Sequence, residues 1–158
     1  MIAGKITPGM TDIAPHIEEA IAHGKKVKLT VTGNSMYPLF KDRRDRAVLS
    51  PIEKLKKRDV VFYKRQNGQY VLHRIVKKKG NMLTIAGDNE TVKEYQVNVS
   101  DCIAVMESFE RNSKESNVSD LWYKVYSFFW VAFFPFRKQC RKFLHFGSKL
   151  FGANRKKD

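Results

Sequence analysis

From Lys25 to Phe109 the chain is cut into short runs rich in Val, Ile, Leu and Tyr, each stopped by a turn signal before a helix can develop. That punctuation constrains the fold more than any other feature. From Val27 onward one run alternates, with Val27, Leu29 and Val31 on one side and Lys28, Thr30 and Thr32 on the other, as in a half-buried strand. Arg46 to Ser50 follows a charged turn at 41–45 and stops at Pro51. Asp59 to Tyr63 and Tyr70 to Val76 flank Gln66-Asn67-Gly68-Gln69, whose Asn-Gly pair marks a hairpin. Met82 to Ala86, Val92 to Val99 and Cys102 to Phe109 complete the series, with a sharp corner at Gly87-Asp88-Asn89. One helix is predicted ahead of the strands, over 12–23. Asp12 caps it, Ile13, Ile17, Ala20 and Ile21 form its apolar face, and Gly24 ends it. The fold class is therefore mostly β: a small β domain over 1–110 with a short N-terminal helix and a C-terminal amphipathic helical tail. No second helix precedes the strands, which argues against a helix-turn-helix DNA-binding head.

Residues 111–119 are polar and serine-rich and read as a linker. Beyond them the character changes. The chain carries a formal charge of +14, and residues 111–158 hold 11 Lys and Arg against 3 Asp and Glu. Among those charges lies an aromatic run containing Trp122, Phe128, Phe129, Trp130, Phe133 and Phe134, followed at once by Arg137, Lys138, Arg141 and Lys142. Its uncharged part, Val125 to Phe136, is shorter than the ~20 residues of a spanning helix. Aromatic and basic residues interleaved at helical spacing suit a helix lying on an anionic membrane surface. They favour lipid over nucleic acid as the partner, although bases also stack on aromatics. The alternative is a helix packed on the β domain or on a second copy. Two cysteines, one in each part, imply no disulfide framework and a reducing compartment. The N-terminus has no apolar run of the kind that forms a secretory leader. Nothing in the sequence calls for a metal or an organic cofactor.

The chemistry concentrates in Val31-Thr32-Gly33-Asn34-Ser35-Met36-Tyr37-Pro38-Leu39-Phe40. Gly33 and Asn34 tolerate positive φ and suit a tight exit from the strand. Pro38 fixes its own φ and holds Tyr37 extended, which stiffens the loop just past Ser35. A serine on a stiff loop among backbone N–H groups is a candidate nucleophile, since it must be aimed and its oxyanion must be received.

Three pieces in order, Gly33-Asn34-Ser35-Met36-Tyr37-Pro38, Val71-Leu72-His73-Arg74-Ile75-Val76 and Ala86-Gly87-Asp88-Asn89, resemble the serine peptidase superfamily of signal peptidases and self-cleaving LexA-type repressors. The resemblance covers 13–106. Most bacterial members pair the serine with a lysine; here the position after the hairpin is His73, as in the endoplasmic-reticulum-type signal peptidases. Imidazole titrates near neutral pH without help, so it suits a general base. The resemblance implies that Ser35 attacks a peptide carbonyl, that His73 takes its proton and that Asp88 orients the imidazole. The second acid that histidine-type relatives often carry falls to Glu94. Signal peptidases often place a hydroxyl donor two residues before the nucleophile. Gly33 stands there, so the oxyanion hole would rest on backbone N–H groups, at Ser35 and Asn34. Losing one such donor costs about 100-fold or more in rate where it is used.

The function expected is a serine endopeptidase with a Ser35–His73 dyad, held at the cytoplasmic face of a membrane and cleaving a leader or signal-type segment from a polypeptide. The alternatives are a regulatory module that cleaves itself or a partner, and an inactive membrane-binding scaffold.

Overall fold

A computed structural model describes residues 10–137. Helix α1 (Met10–Ala22) is followed by β1 (Val27–Thr30), β2 (Arg46–Ser50), β3 (Val60–Lys64), β4 (Tyr70–Lys79), β5 (Met82–Ala86), β6 (Glu94–Asn98), β7 (Cys102–Arg111) and β8 (Lys114–Asn117). Helix α2 (Leu121–Ala132) and a single 3-10 turn at Phe134–Phe136 close the described chain. All eight strands form one antiparallel sheet in the order β1-β2-β7-β3-β4-β5-β6, with β8 paired to β7. The expected mostly-β domain is present.

Helix α1 turns Ala14, Ile17 and Ile21 into the core, the three- and four-residue spacing of a helix face. It ends as Gly24, at φ +74°, lets its own N–H reach Ile21 O and the Lys25 N–H reach Ala20 O. Strand β3 explains the sheet's depth. Its run Val60-Val61-Phe62-Tyr63 is buried on both faces. Val60 and Phe62 join a core with α1, Met36, Leu39 and Phe40, while Val61 and Tyr63 join a second core with Leu55, Ile75, Leu83 and Ile85. A continuous apolar strand is what a sheet covered on both sides requires. The hairpin from β3 to β4 turns where Asn67-Gly68 predicts, with Gly68 at φ +84° and Arg65 N–H donating to Gln69 O.

The C-terminal side carries regular structure of its own. Within 111–119, Asn112 and Ser113 take positive φ, and β8 folds back on β7 with Glu110 opposite Glu115. Helix α2 packs on the domain. Tyr123, Ser127 and Val131, spaced four apart, are buried on one side of it, and Phe134 follows them into a small cluster with Val76 and Ala86. Its other side leaves Leu121, Val125, Phe128 and Phe129 exposed. Sequence patterning does not separate the two sides, because α2 is apolar nearly all round. Among the described residues, no helix is long and apolar enough to cross a membrane.

Candidate active site

The Ser35 turn is fixed from below and from both flanks. Met36, Leu39 and Phe40 are sunk in the core, at no more than 1% exposure each, so the loop cannot slide. Gly33, at φ +82°, donates its N–H to Asp42 Oδ1 at 2.7 Å, and the Tyr37 N–H reaches Asn34 O at 3.1 Å. Ser35 itself is half-buried.

The Gly87–Asn89 corner docks directly on this turn. Asn89 N–H donates to Ser35 O at 2.7 Å. A Cβ at residue 87 would lie 2.6 Å from that same carbonyl oxygen, closer than any side chain tolerates. Glycine at 87 is thus a condition of contact between the two motifs.

His73 sits on β4 opposite Val61, on the face that carries Tyr63. It is 1% exposed. Its Nδ1 lies 3.2 Å from Glu94 Oε1 and 3.5 Å from the Tyr63 hydroxyl. Glu94 is clamped in turn by Arg65, whose Nε and Nη2 donate to the two carboxylate oxygens. Burial works against ionisation of Glu94, but hydrogen bonds from His73, Arg65 and Tyr63, with the Arg65 charge, hold its carboxyl well below the usual carboxylate range. A carboxylate at Nδ1 selects the tautomer with the proton on Nδ1 and leaves the Nε2 lone pair facing away. That Nε2 is buried and has no hydrogen-bond partner among the described residues; the nearest acid among them is Glu90, with Oε1 at 3.7 Å.

Ser35, Asn34, Asn89, Glu90 and Glu94 share the wall of one open cavity of about 590 Å³. The serine thus meets the carboxylates that flank the imidazole, although Ser35 Oγ does not hydrogen-bond Nε2. Catalytic hydrogen bonds are often long before substrate arrives. On its other side Ser35 borders a narrow cleft of about 70 Å³ lined by Leu29, Val31, Met36, Phe62 and Leu72.

Asp88, expected beside the imidazole, is elsewhere. Arg74 Nε and Nη2 donate to its two oxygens at 2.8 and 2.7 Å, and the Tyr126 hydroxyl donates to Oδ2 at 2.9 Å. The reason is the two-residue period of β4: His73 and its neighbour Arg74 must point to opposite faces. Arg74 pairs across the ladder with Ala86, and the corner that follows drops Asp88 onto the Arg74 face. Glu94, the second choice in the sequence, is the acid at Nδ1.

Two residues at the site gave no usable signal in the sequence, and a third, at the Gly87–Asn89 corner, carried a different reading. Arg65 sits in the β3–β4 hairpin and Glu90 one residue past the corner, where either reads as a surface charge. Arg137, expected against lipid, donates to Gly87 O and Asp88 O at 3.2 and 2.9 Å, beside Trp130, whose Nε1 donates to Asp88 O. Phe134 is likewise buried against the domain. Of the residues expected on the membrane, Trp122, Phe128, Phe129 and Phe133 are exposed. Lys138, Arg141 and Lys142 lie outside the described residues.

Residues 7–107 match a protein family described as Peptidase S24-like. No curated protein and no solved structure matches the chain.

Proposed function

The chain belongs to the Peptidase S24-like family, which groups serine-type peptidases with LexA-like modules, and on that premise we propose that it is a serine endopeptidase working through Ser35 and His73. The observation that carries this reading is the state of His73. Its Nδ1 is held by an ionised carboxylate while its buried Nε2 has no partner, the disposition of a general base awaiting a proton. Ser35 Oγ would give that proton as it attacks a peptide carbonyl, forming an acyl-enzyme that water hydrolyses. Glu94 takes the orienting part, replacing Asp88. The oxyanion would be received by backbone N–H groups at Ser35 and Asn34; the Gly33 N–H is engaged by Asp42. The open cavity in front of Ser35 admits an extended polypeptide, and a leader or signal-type segment presented near a membrane is the substrate class proposed. The exposed aromatic side of α2 is the feature that favours membrane association, and the cytoplasmic face is part of the same proposal.

The test is covalent trapping. A serine-reactive phosphonate should add one label to the full-length protein, on Ser35, and Ser35→Ala and His73→Ala should both abolish labelling. A polypeptide that accumulates uncut in cells carrying Ser35→Ala then names the substrate by mass spectrometry. Absence of label, together with no peptide cleaved by the wild type, would overturn the reading.

A further inference from the structure

The buried, unpartnered Nε2 of His73 faces a carboxylate that the peptidase chemistry does not use. Glu90 Oε1 stands 3.7 Å away, and the Glu90 side chain is 34% exposed at the edge of the Ser35 cavity. A donor nitrogen and a donor oxygen bound to one zinc-class ion at about 2.0–2.2 Å are about 3.4 Å apart when the ion is tetrahedral. The observed gap is within 0.3 Å of that, so an ion fits between the two atoms after a small side-chain adjustment. The other side of the imidazole already has the arrangement that metal-ligating histidines favour. A carboxylate, Glu94, accepts from Nδ1 and fixes the tautomer, which leaves the Nε2 lone pair available to a metal. Glu94 belongs to the same compact cluster of donor atoms, all within 4.8 Å of one another, but Arg65 holds both of its oxygens. It therefore serves from behind the ring rather than as a ligand. Glu90 shares the wall of the Ser35 cavity, so water from that cavity would complete the ion's coordination.

We propose that His73 and Glu90 form a binding site for a divalent cation of the zinc class, occupied at the expense of catalysis. A nitrogen ligand with a carboxylate selects zinc and its transition-metal neighbours over magnesium or calcium, which prefer all-oxygen shells. An ion on Nε2 takes the lone pair that would accept the Ser35 proton, so metal and general-base catalysis are mutually exclusive. Metal binding stands on the geometry alone; its inhibitory consequence rests on the function proposed above.

The experiment is titration of the full-length protein with Zn²⁺ by calorimetry, with the imidazole ¹⁵N signals followed in parallel. One ion per chain should bind, with the largest shift on the His73 Nε2 resonance. Glu90→Gln should weaken binding at least tenfold. His73→Gln should remove it, whereas a His16→Gln, His23→Gln double variant should bind as the wild type does. Glu90 lies on a half-exposed loop, so its variant keeps the test alive if His73→Gln misfolds. Zinc binding unchanged in Glu90→Gln, or no binding at all, overturns the site. Peptide cleavage measured on the same samples should fall as zinc is added, with a midpoint that moves at least tenfold in Glu90→Gln. Zinc bound at His73 by a protein that cleaves and labels with nothing would leave the metal site standing and remove the peptidase reading instead.

Discussion

His73 and Arg74 are adjacent, equally buried, and each faces a carboxylate, yet β4 sends them into opposite kinds of environment. On the Arg74 face every group is answered. Asp88 receives two bonds from the guanidinium and one from Tyr126, while Arg74 Nη1 also reaches Arg58 O and the Tyr123 hydroxyl. The rings of Tyr123 and Tyr126 flank the guanidinium at 5.5 and 5.6 Å. On the His73 face one nitrogen is held and the other is left without a partner. A buried polar group without a partner costs about 1–3 kcal/mol. A fold tolerates such a cost where the group has work to do. The lesson is that burial and ion pairing do not distinguish a reactive group from a structural one. Saturation does.

The largest effect expected is on turnover. Ser35→Ala and His73→Ala should each lower cleavage by about 10⁴-fold or more, and the double variant should be no worse than either, because the pair acts as a unit. Urea unfolding of Ser35→Ala should match the wild type. If His73→Ala retains full activity, the unpartnered nitrogen is idle and the contrast with Arg74 loses its meaning.

Breaking the saturated face should instead act on the fold. Arg74→Met or Asp88→Leu alone should cost about 3–5 kcal/mol, since each strands a buried charge; the double variant should recover most of that. Denaturant midpoints measure it. Truncation after Phe109, which the sequence alone would allow as a clean domain boundary, removes β8 and with it Tyr123, Tyr126 and Trp130 from around Asp88. The truncated chain should unfold more easily than the full-length protein. A fully stable 1–109 fragment would show that α2 rests on the domain without supporting it.

That boundary shows where sequence reasoning stops. Turn signals at Asn67-Gly68 and Gly87-Asp88-Asn89 were legible because local chemistry sets them, and so was the mostly-β character they punctuate. The Ser35 turn and His73 were legible as motifs. The partner of His73 was not, because it depends on which face of β4 each residue takes and on the register with β5. Only the assembled sheet fixes those. The side of α2 that meets the domain was hidden for another reason: both sides are apolar, so no periodicity tells them apart.

Glu94→Gln sharpens the comparison more gently. The amide still accepts from Nδ1–H but no longer stabilises a charged imidazole, so kcat should fall about 100-fold or more with KM little changed. Its effect on stability has a definite sign. Glu94 titrates below its ordinary range in the folded protein, so its contribution is fully present above the ordinary glutamate pKa of about 4.3. That contribution is lost progressively as pH falls below that value. The wild type should therefore lose stability on acidification more steeply than Glu94→Gln, and the two curves should converge at low pH. Parallel curves would mean that Arg65 and His73 do not hold the carboxylate as the geometry indicates.

The smallest effect on the fold is expected at the outer side of α2, and that near-silence is itself informative. Phe129 and Phe133 stack on one another at 6.1 Å and are 51% and 57% exposed, whereas Phe134, the next residue, is buried against Val76 and Ala86. Phe129→Ser with Phe133→Ser should shift unfolding by no more than about 0.5 kcal/mol, the range of ordinary surface changes. Phe134→Ala should cost about 3–5 kcal/mol by leaving a cavity. Binding to anionic vesicles should rank the same residues the other way. Each exposed phenylalanine that enters the lipid interface contributes about 1.5–3 kcal/mol of burial, so the double serine variant should lose vesicle binding by at least 100-fold while folding normally. Added salt should weaken the wild type's binding, as screening of basic residues near the surface requires. If the double variant binds vesicles as well as the wild type, lipid does not recognise this face. If it unfolds early, the outer side of α2 is covered by protein and belongs with the saturated face of β4.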